Sequence, residues 1–204
     1  MPNRTRTGAL FLLAATGLGA VCAGPAGAVG RTPGFLAARD LPPHPSSVWT
    51  AGRVLPGVAE ATGHDTCLKD ALAGRDDTWH RDFRTDLDAG ARQTSVVLPD
   101  SGSAEALADR LAREIRSCPA RIERHRPDIK AALKDYGRVD VEDGAHLYGL
   151  HTDTAWGAQD IRLLSVGRDG RTVTVVDWTQ LGGFPDAPVG AFRTTTMTAV
   201  GKLR

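Results

Sequence analysis

The chain has 204 residues, 41% of them hydrophobic, and its 25 basic and 24 acidic side chains give a formal charge of +1. A balance this close to neutral offers no excess of Lys and Arg to face phosphates, which excludes nucleic acid as a partner on charge grounds and argues against adsorption to an anionic membrane. The length suits one domain with a sizeable core.

Residues 1–28 read as a cleavable signal peptide. Arg4 and Arg6 precede an uncharged apolar run from Ala9 to Ala23, and Ala26-Gly27-Ala28 places small residues where a signal peptidase reads. The run is short for a stable membrane span and ends in this exit sequence, so no lasting insertion is expected. The less favoured alternative is a lipoprotein tethered through Cys22, although Gly19-Ala20-Val21 lacks the Leu and small residue of a lipobox. Cleavage removes Arg4 and Arg6 and no acid, leaving 23 basic and 24 acidic residues and a charge of −1. It also removes Cys22. Cys67 and Cys118 remain, and an even pair in an oxidising compartment reads as a disulfide.

Residues 29–47 form a lead-in rich in Gly, Pro and Ala, with one short helical candidate at Phe35–Arg39, and residues 48–204 form a single domain. Thr78–Leu87 and Gln93–Leu98 read as two strands joined by the turn Asp88-Ala89-Gly90. After the capping run Asp100-Ser101-Gly102-Ser103, apolar residues recur at Ala104, Leu107, Ala108, Leu111, Ile115 and Cys118, one face of a helix over 103–118 that Pro119 is expected to stop. An Arg-rich stretch, Ala120–Leu133, is interrupted by Pro127. Further strands are expected at Tyr136–Val141, Ala145–His151, Asp160–Val166 and Thr172–Trp178, the last two closing a hairpin at Gly167-Arg168-Asp169-Gly170. Asp186-Ala187-Pro188 then starts a terminal helix with Val189, Phe192, Thr196, Ala199, Val200 and Leu203 on one stripe. The fold class is α+β, with five or six mostly antiparallel strands in a twisted sheet and both helices packed on one face.

Catalytic signatures are missing from the sequence: there is no G-x-S-x-G, no H-E-x-x-H and no paired C-x-x-C. His146 and His151 are five apart in a strand, so they point to opposite faces and cannot share a metal; no metal and no cofactor is expected. His80, Asp82, Asp86 and Asp88 share parity, which reads best as a solvent-facing row partly neutralised by Arg84. The basic run Arg116, Arg121, Arg124, His125, Arg126, Lys130 and Lys134 lacks interleaved aromatics and reads as a solvated face. Trp156, in the loop Asp153-Thr154-Ala155-Trp156-Gly157, is an indole with a reason to be exposed only if it touches something. His146 and Tyr148 share one face of their strand, whereas Tyr148 and Trp178 read first as core residues.

Three phrases resemble the PknH-like extracellular sensor domains of actinobacteria and their secreted or lipoprotein relatives. They are Phe35-Leu36-Ala37-Ala38-Arg39-Asp40-Leu41-Pro42, Gly144-Ala145-His146-Leu147-Tyr148-Gly149, and Gly167-Arg168-Asp169-Gly170 with the Val-rich strand ending at Trp178. The resemblance implies a disulfide-stapled α/β sandwich with a twisted antiparallel sheet and a ligand cleft. This chain has one cysteine pair where that family's kinase domain has two, and it lacks a kinase domain and membrane helix, so any output would pass through a separate membrane-bound signalling partner. The expected activity is non-enzymatic binding of a small-molecule or cell-envelope ligand, with His146, Tyr148 and Trp156 as cleft residues. The rivals are a cell-envelope hydrolase drawing on Asp82, Asp86 or His151, and a protein-interaction module.

Overall fold

The structure, a computed structural model, describes residues 32–59, 67–75 and 77–204. The proposed signal segment, with Cys22, and Gly63-His64-Asp65 lie outside the described residues.

Seven antiparallel strands form one sheet: β1 (Thr50–Pro56), β2 (Thr78–Arg84), β3 (Gly90–Val97), β4 (Ile129–Val139), β5 (Ala145–Thr154), β6 (Gln159–Asp169) and β7 (Thr172–Leu181). Their order across the sheet is β1-β2-β3-β7-β6-β5-β4. The sheet therefore exceeds the five or six strands expected, and the one missed is β1. Its side chains are nearly all exposed, so it carries none of the apolar alternation by which a half-buried strand is recognised. The helices are α1 (Lys69–Leu72), α2 (Ser101–His125) and α3 (Val189–Gly201).

The helices do not share a face. Tyr148, Leu150, Leu164, Val166, Val173 and Val175 form an apolar layer with Leu107, Leu111, Ile115 and Cys118 of α2, and Leu68, Ala71 and Leu72 around α1 join it. Leu147, Ile161, Leu163, Val176 and Trp178 point the other way and pack with Phe192, Ala199 and Val200 of α3 and with Leu36 and Leu41 of the N-terminal arm. Both faces of the central strands are thus covered. This is why Leu163-Leu164 and Val175-Val176 run without alternation.

Helix α2 corrects the expected stop at Pro119. Asp100 caps it by accepting from the Ser103 amide at 2.7 Å, and the helix runs through Pro119 to His125. Proline deletes one backbone donor, the one that would meet the Ile115 carbonyl. Two features offset that loss: Ile122, one turn past Cys118, continues the buried stripe, and Arg121 donates to the Glu114 carbonyl at 3.0 Å and the Cys67 carbonyl at 2.9 Å. The disulfide Cys67–Cys118 joins the same point, with Cα atoms 5.3 Å apart.

The Arg-rich stretch accordingly divides into the end of α2 and the start of β4. Topology also sets the helix direction. α2 leaves the end of β3 and must deliver the chain to β4, four strand spacings away, about 19 Å, while a 25-residue helix is about 37 Å long, so it crosses the strands at roughly 30°. A diagonal helix leaves two opposite corners of its face of the sheet uncovered.

Candidate functional site

One uncovered corner lies where β4, β5 and β6 meet the loop before Ala145, and its residues reach it through a bulge. In β4, Ile129, Ala131 and Leu133 face α2, as does Asp135, which pairs with Tyr148. The register then shifts between Asp135 and Gly137, with Gly137 at φ 83°, and Arg138 pairs with His146. An uninterrupted strand would turn Arg138 to the α3 face; the extra residue returns it to the α2 face that Asp135 shares.

His146 Nε2 lies 2.6 Å from Asp135 Oδ1, and its ring stacks on Tyr148 with centroids 4.6 Å apart. Tyr148 is fully buried, and its hydroxyl accepts from Arg116 Nη1 at 2.9 Å. Desolvation raises the Tyr148 pKa, with Arg116 pulling against it and Asp135 adding to it. Burial also pushes Asp135 up. The hydrogen bonds from His146 and the Gly137 amide, with the charges of His146 and Arg116, outweigh this and hold its carboxyl below the ordinary 3.8.

Around these groups is a cleft of about 270 Å³. Glu105, Ala108, Asp109, Ala112 and Arg116 of α2 form one wall; Tyr148, His146, Ala145, Val166 and Gly167 form the floor; Arg138, Asp143, Gly144 and Arg168 form the lip. Arg168 is paired with Asp143 at 3.0 Å. The Arg138 guanidinium has no hydrogen-bond or ion-pair partner among the described residues. The lining contains no Ser, Thr or Cys, and its one hydroxyl is the buried Tyr148, already bonded to Arg116. Chemically, the lining offers three guanidinium groups and three carboxylates that could engage charged groups.

The structure brings His146 and Tyr148 together and places Trp156 elsewhere. Trp156 is 65% exposed in the β5–β6 turn, beyond Thr154 at the far end of β5, about 26 Å along the strand from His146. Arg116, Asp135 and Arg138 were not singled out together by sequence reasoning. The signal that could have found the last two is Gly137 inside a strand, a mark of a bulge.

The other residues scatter. The proposed row His80, Asp82, Asp86 and Asp88 breaks at Arg84, where β2 ends: His80 is buried with Nδ1 2.8 Å from the Gly57 carbonyl, Asp82 meets Arg92 at 2.6 Å, and Asp86 and Asp88 sit in the β2–β3 turn. His151 lies on the α3 face, its ring centroid 5.6 Å from Phe184, so Asp82, Asp86 and His151 form no common site. The basic run is not one face either. Arg116 enters the cleft, Arg121 bonds the Cys67 and Glu114 carbonyls near Pro119, Arg126 pairs with Asp128 at 3.0 Å, and Lys134 sits 5.2 Å from the Tyr136 ring on the edge strand. Among the described residues no group of three or more His, Cys, Asp or Glu is placed to hold a metal. None of their helices is long and apolar enough to cross a membrane.

No protein-family model matches the sequence, and no curated protein matches it. Among solved structures, the extracellular domain of PknH from Mycobacterium tuberculosis is similar at a TM-score of 0.45 and 12% identity, over 72% of this chain and 83% of that one.

Proposed function

We propose that the mature protein is an exported, non-enzymatic ligand-binding domain of the sensor type, acting in the cell envelope, and that its ligand occupies the cleft beneath α2. The observation that carries this reading is the cleft itself: an open concavity of about 270 Å³ with the Arg138 guanidinium at its lip, unpartnered among the described residues, and no Ser, Thr or Cys in its lining. His146 and Tyr148 serve as its floor, while Trp156 would act only in a separate contact. Export is supported by the order of charge and apolar residues in 1–28 and by a buried disulfide, which persists in an oxidising compartment.

Native mass spectrometry of the protein recovered from culture medium tests the reading. The expected species lacks residues 1–28, is lighter by the two hydrogens of one disulfide, and carries a small adduct that Arg138→Ala releases. A species retaining residues 1–28 would refute export by cleavage, and an adduct indifferent to Arg138 would refute the cleft.

A protein-interaction role has one observation in its favour. Leu87, Trp156 and Leu181 are 60, 65 and 58% exposed, all at the end of the sheet opposite the cleft. Triple replacement by Ser would abolish a partner contact there and leave small-molecule binding intact.

A further inference from the structure

We propose that the cleft takes a small zwitterion, a free amino acid or dipeptide, with its carboxylate on Arg138 and its ammonium group on Glu105 and Asp109. This deepens the reading of the cleft as a ligand site and rests on it.

The positive pole is held in place, and no described residue neutralises it. The Nη2, Cζ and Nε atoms of Arg138 lie 3.0, 3.3 and 3.5 Å from the position a Cβ on Gly144 would occupy, so the flat of the guanidinium rests on the glycine backbone. Gly144 has φ 106°, a conformation that favours glycine, and any side chain there would displace the arginine. No described residue bonds its N–H edge, and that fork matches a carboxylate in two parallel hydrogen bonds. The cleft's other arginines are engaged: Arg116 donates to Tyr148 and Arg168 pairs with Asp143.

The negative pole faces it from α2. Glu105 and Asp109 are one helical turn apart, both line the cleft, and neither has a partner among the described residues. Between and beyond them, Ala108 and Ala112 keep the wall low. A purely anionic ligand on Arg138 would meet two carboxylates, and a purely cationic one would meet the arginine. Only a ligand carrying both charges leaves neither pole opposed. The cleft, about 270 Å³ and open on one side, has room for a small ligand such as a dipeptide.

Glycylglycine, N-acetyl-glycylglycine and glycylglycine amide separate the poles, with inorganic phosphate as a fourth probe. Binding is followed by NMR shifts of Ala108, Ala112, Gly144 and His146. Glycylglycine is expected to bind about tenfold or more tightly than either capped form, the effect of one charge-assisted contact. Arg138→Gln abolishes its advantage over the amide, and Glu105→Gln/Asp109→Asn its advantage over the acetylated form, with melting temperatures unchanged. Equal binding of the three peptides overturns the zwitterion, as does tighter binding of phosphate at the same resonances, and both leave a ligand cleft standing. Failure of all four probes to shift those resonances overturns the zwitterion and the cleft together.

Discussion

Reducing the Cys67–Cys118 bridge should lower stability by about 4 kcal/mol. The bond spans 51 residues, and in the chain-entropy model closing such a loop in the unfolded state removes about 14 cal/mol/K, about 4 kcal/mol at 25 °C. For a domain of this size each kcal/mol moves the melting temperature by about 3 °C, so the reduced protein should melt about 12 °C lower. Urea unfolding of the oxidised and reduced forms measures the difference, and Cys67→Ala/Cys118→Ala should reproduce it with a further cost for the buried sulfur volume. Cys67 is 2% and Cys118 0% exposed, so a thiol reductant should reach the bond only after local opening. Rapid reduction without denaturant, or a stability difference below about 1 kcal/mol, would refute both the burial and the entropic account.

Gly167→Ala should destabilise by about 1–3 kcal/mol, because the new Cβ would overlap Val200 Cγ2 and sit 3.0 Å from Ala145 Cβ. Adding Val200→Ala should recover part of that loss in urea titrations, whereas strictly additive costs would show that α3 does not set the limit. Asp135 is held below its ordinary 3.8 by His146, Gly137 and Arg116 acting against burial, so its contribution to stability is present above that pH and disappears as pH falls through the lower folded value. The gap between wild type and Asp135→Asn, followed by urea unfolding from pH 6 to pH 2, should therefore close on the acid side; a gap that widens there contradicts the geometry. Trp156→Ala should change stability by no more than about 0.5 kcal/mol and remove the tryptophan most accessible to iodide quenching.

The sequence displays the elements whose residues alternate or recur on a helical face. The β6–β7 hairpin, the capped start of α2 and the stripe of α3 were legible for that reason, and so was the cysteine pair once Cys22 is set aside. β1 was not, because an exposed edge strand is stabilised by its ladder with β2 and leaves no burial pattern. Nor was the far third of α2, where a proline that usually ends helices is tolerated because Ile122 and Arg121 compensate. The placement of α2 and α3 on opposite faces follows from the strand order, and no local signal encodes it. At the candidate site, the pairing of His146 with Tyr148 followed from parity alone. Arg138 did not, because the bulge reverses parity between it and Asp135.

The diagonal course of α2 explains why the cleft is polar, and its mirror-image corner shows what polarity alone does not explain. At the opposite corner, Asp82, Arg92, Asp177 and Arg162 form a row across β2, β3, β7 and β6, with Arg92 bonded to Asp82 at 2.6 Å and Arg162 to Asp177 at 3.0 Å. Each charge there meets its opposite, as largely covered charges must: the Arg92, Arg162 and Asp177 side chains are only 19, 15 and 15% exposed. Glu105, Asp109 and Arg138 at the cleft corner are exposed, so water solvates charges there that the more covered corner has to pair. The cleft corner instead keeps Arg138, Glu105 and Asp109 without partners among the described residues, and it uses a bulge and a positive-φ glycine to hold the arginine where it is. A bulge also suits an edge strand such as β4, so what ties these devices to the cleft is the position of Arg138 over Gly144. Together they set Arg138 in the same cleft as two exposed carboxylates, which is the arrangement a ligand of mixed charge would use.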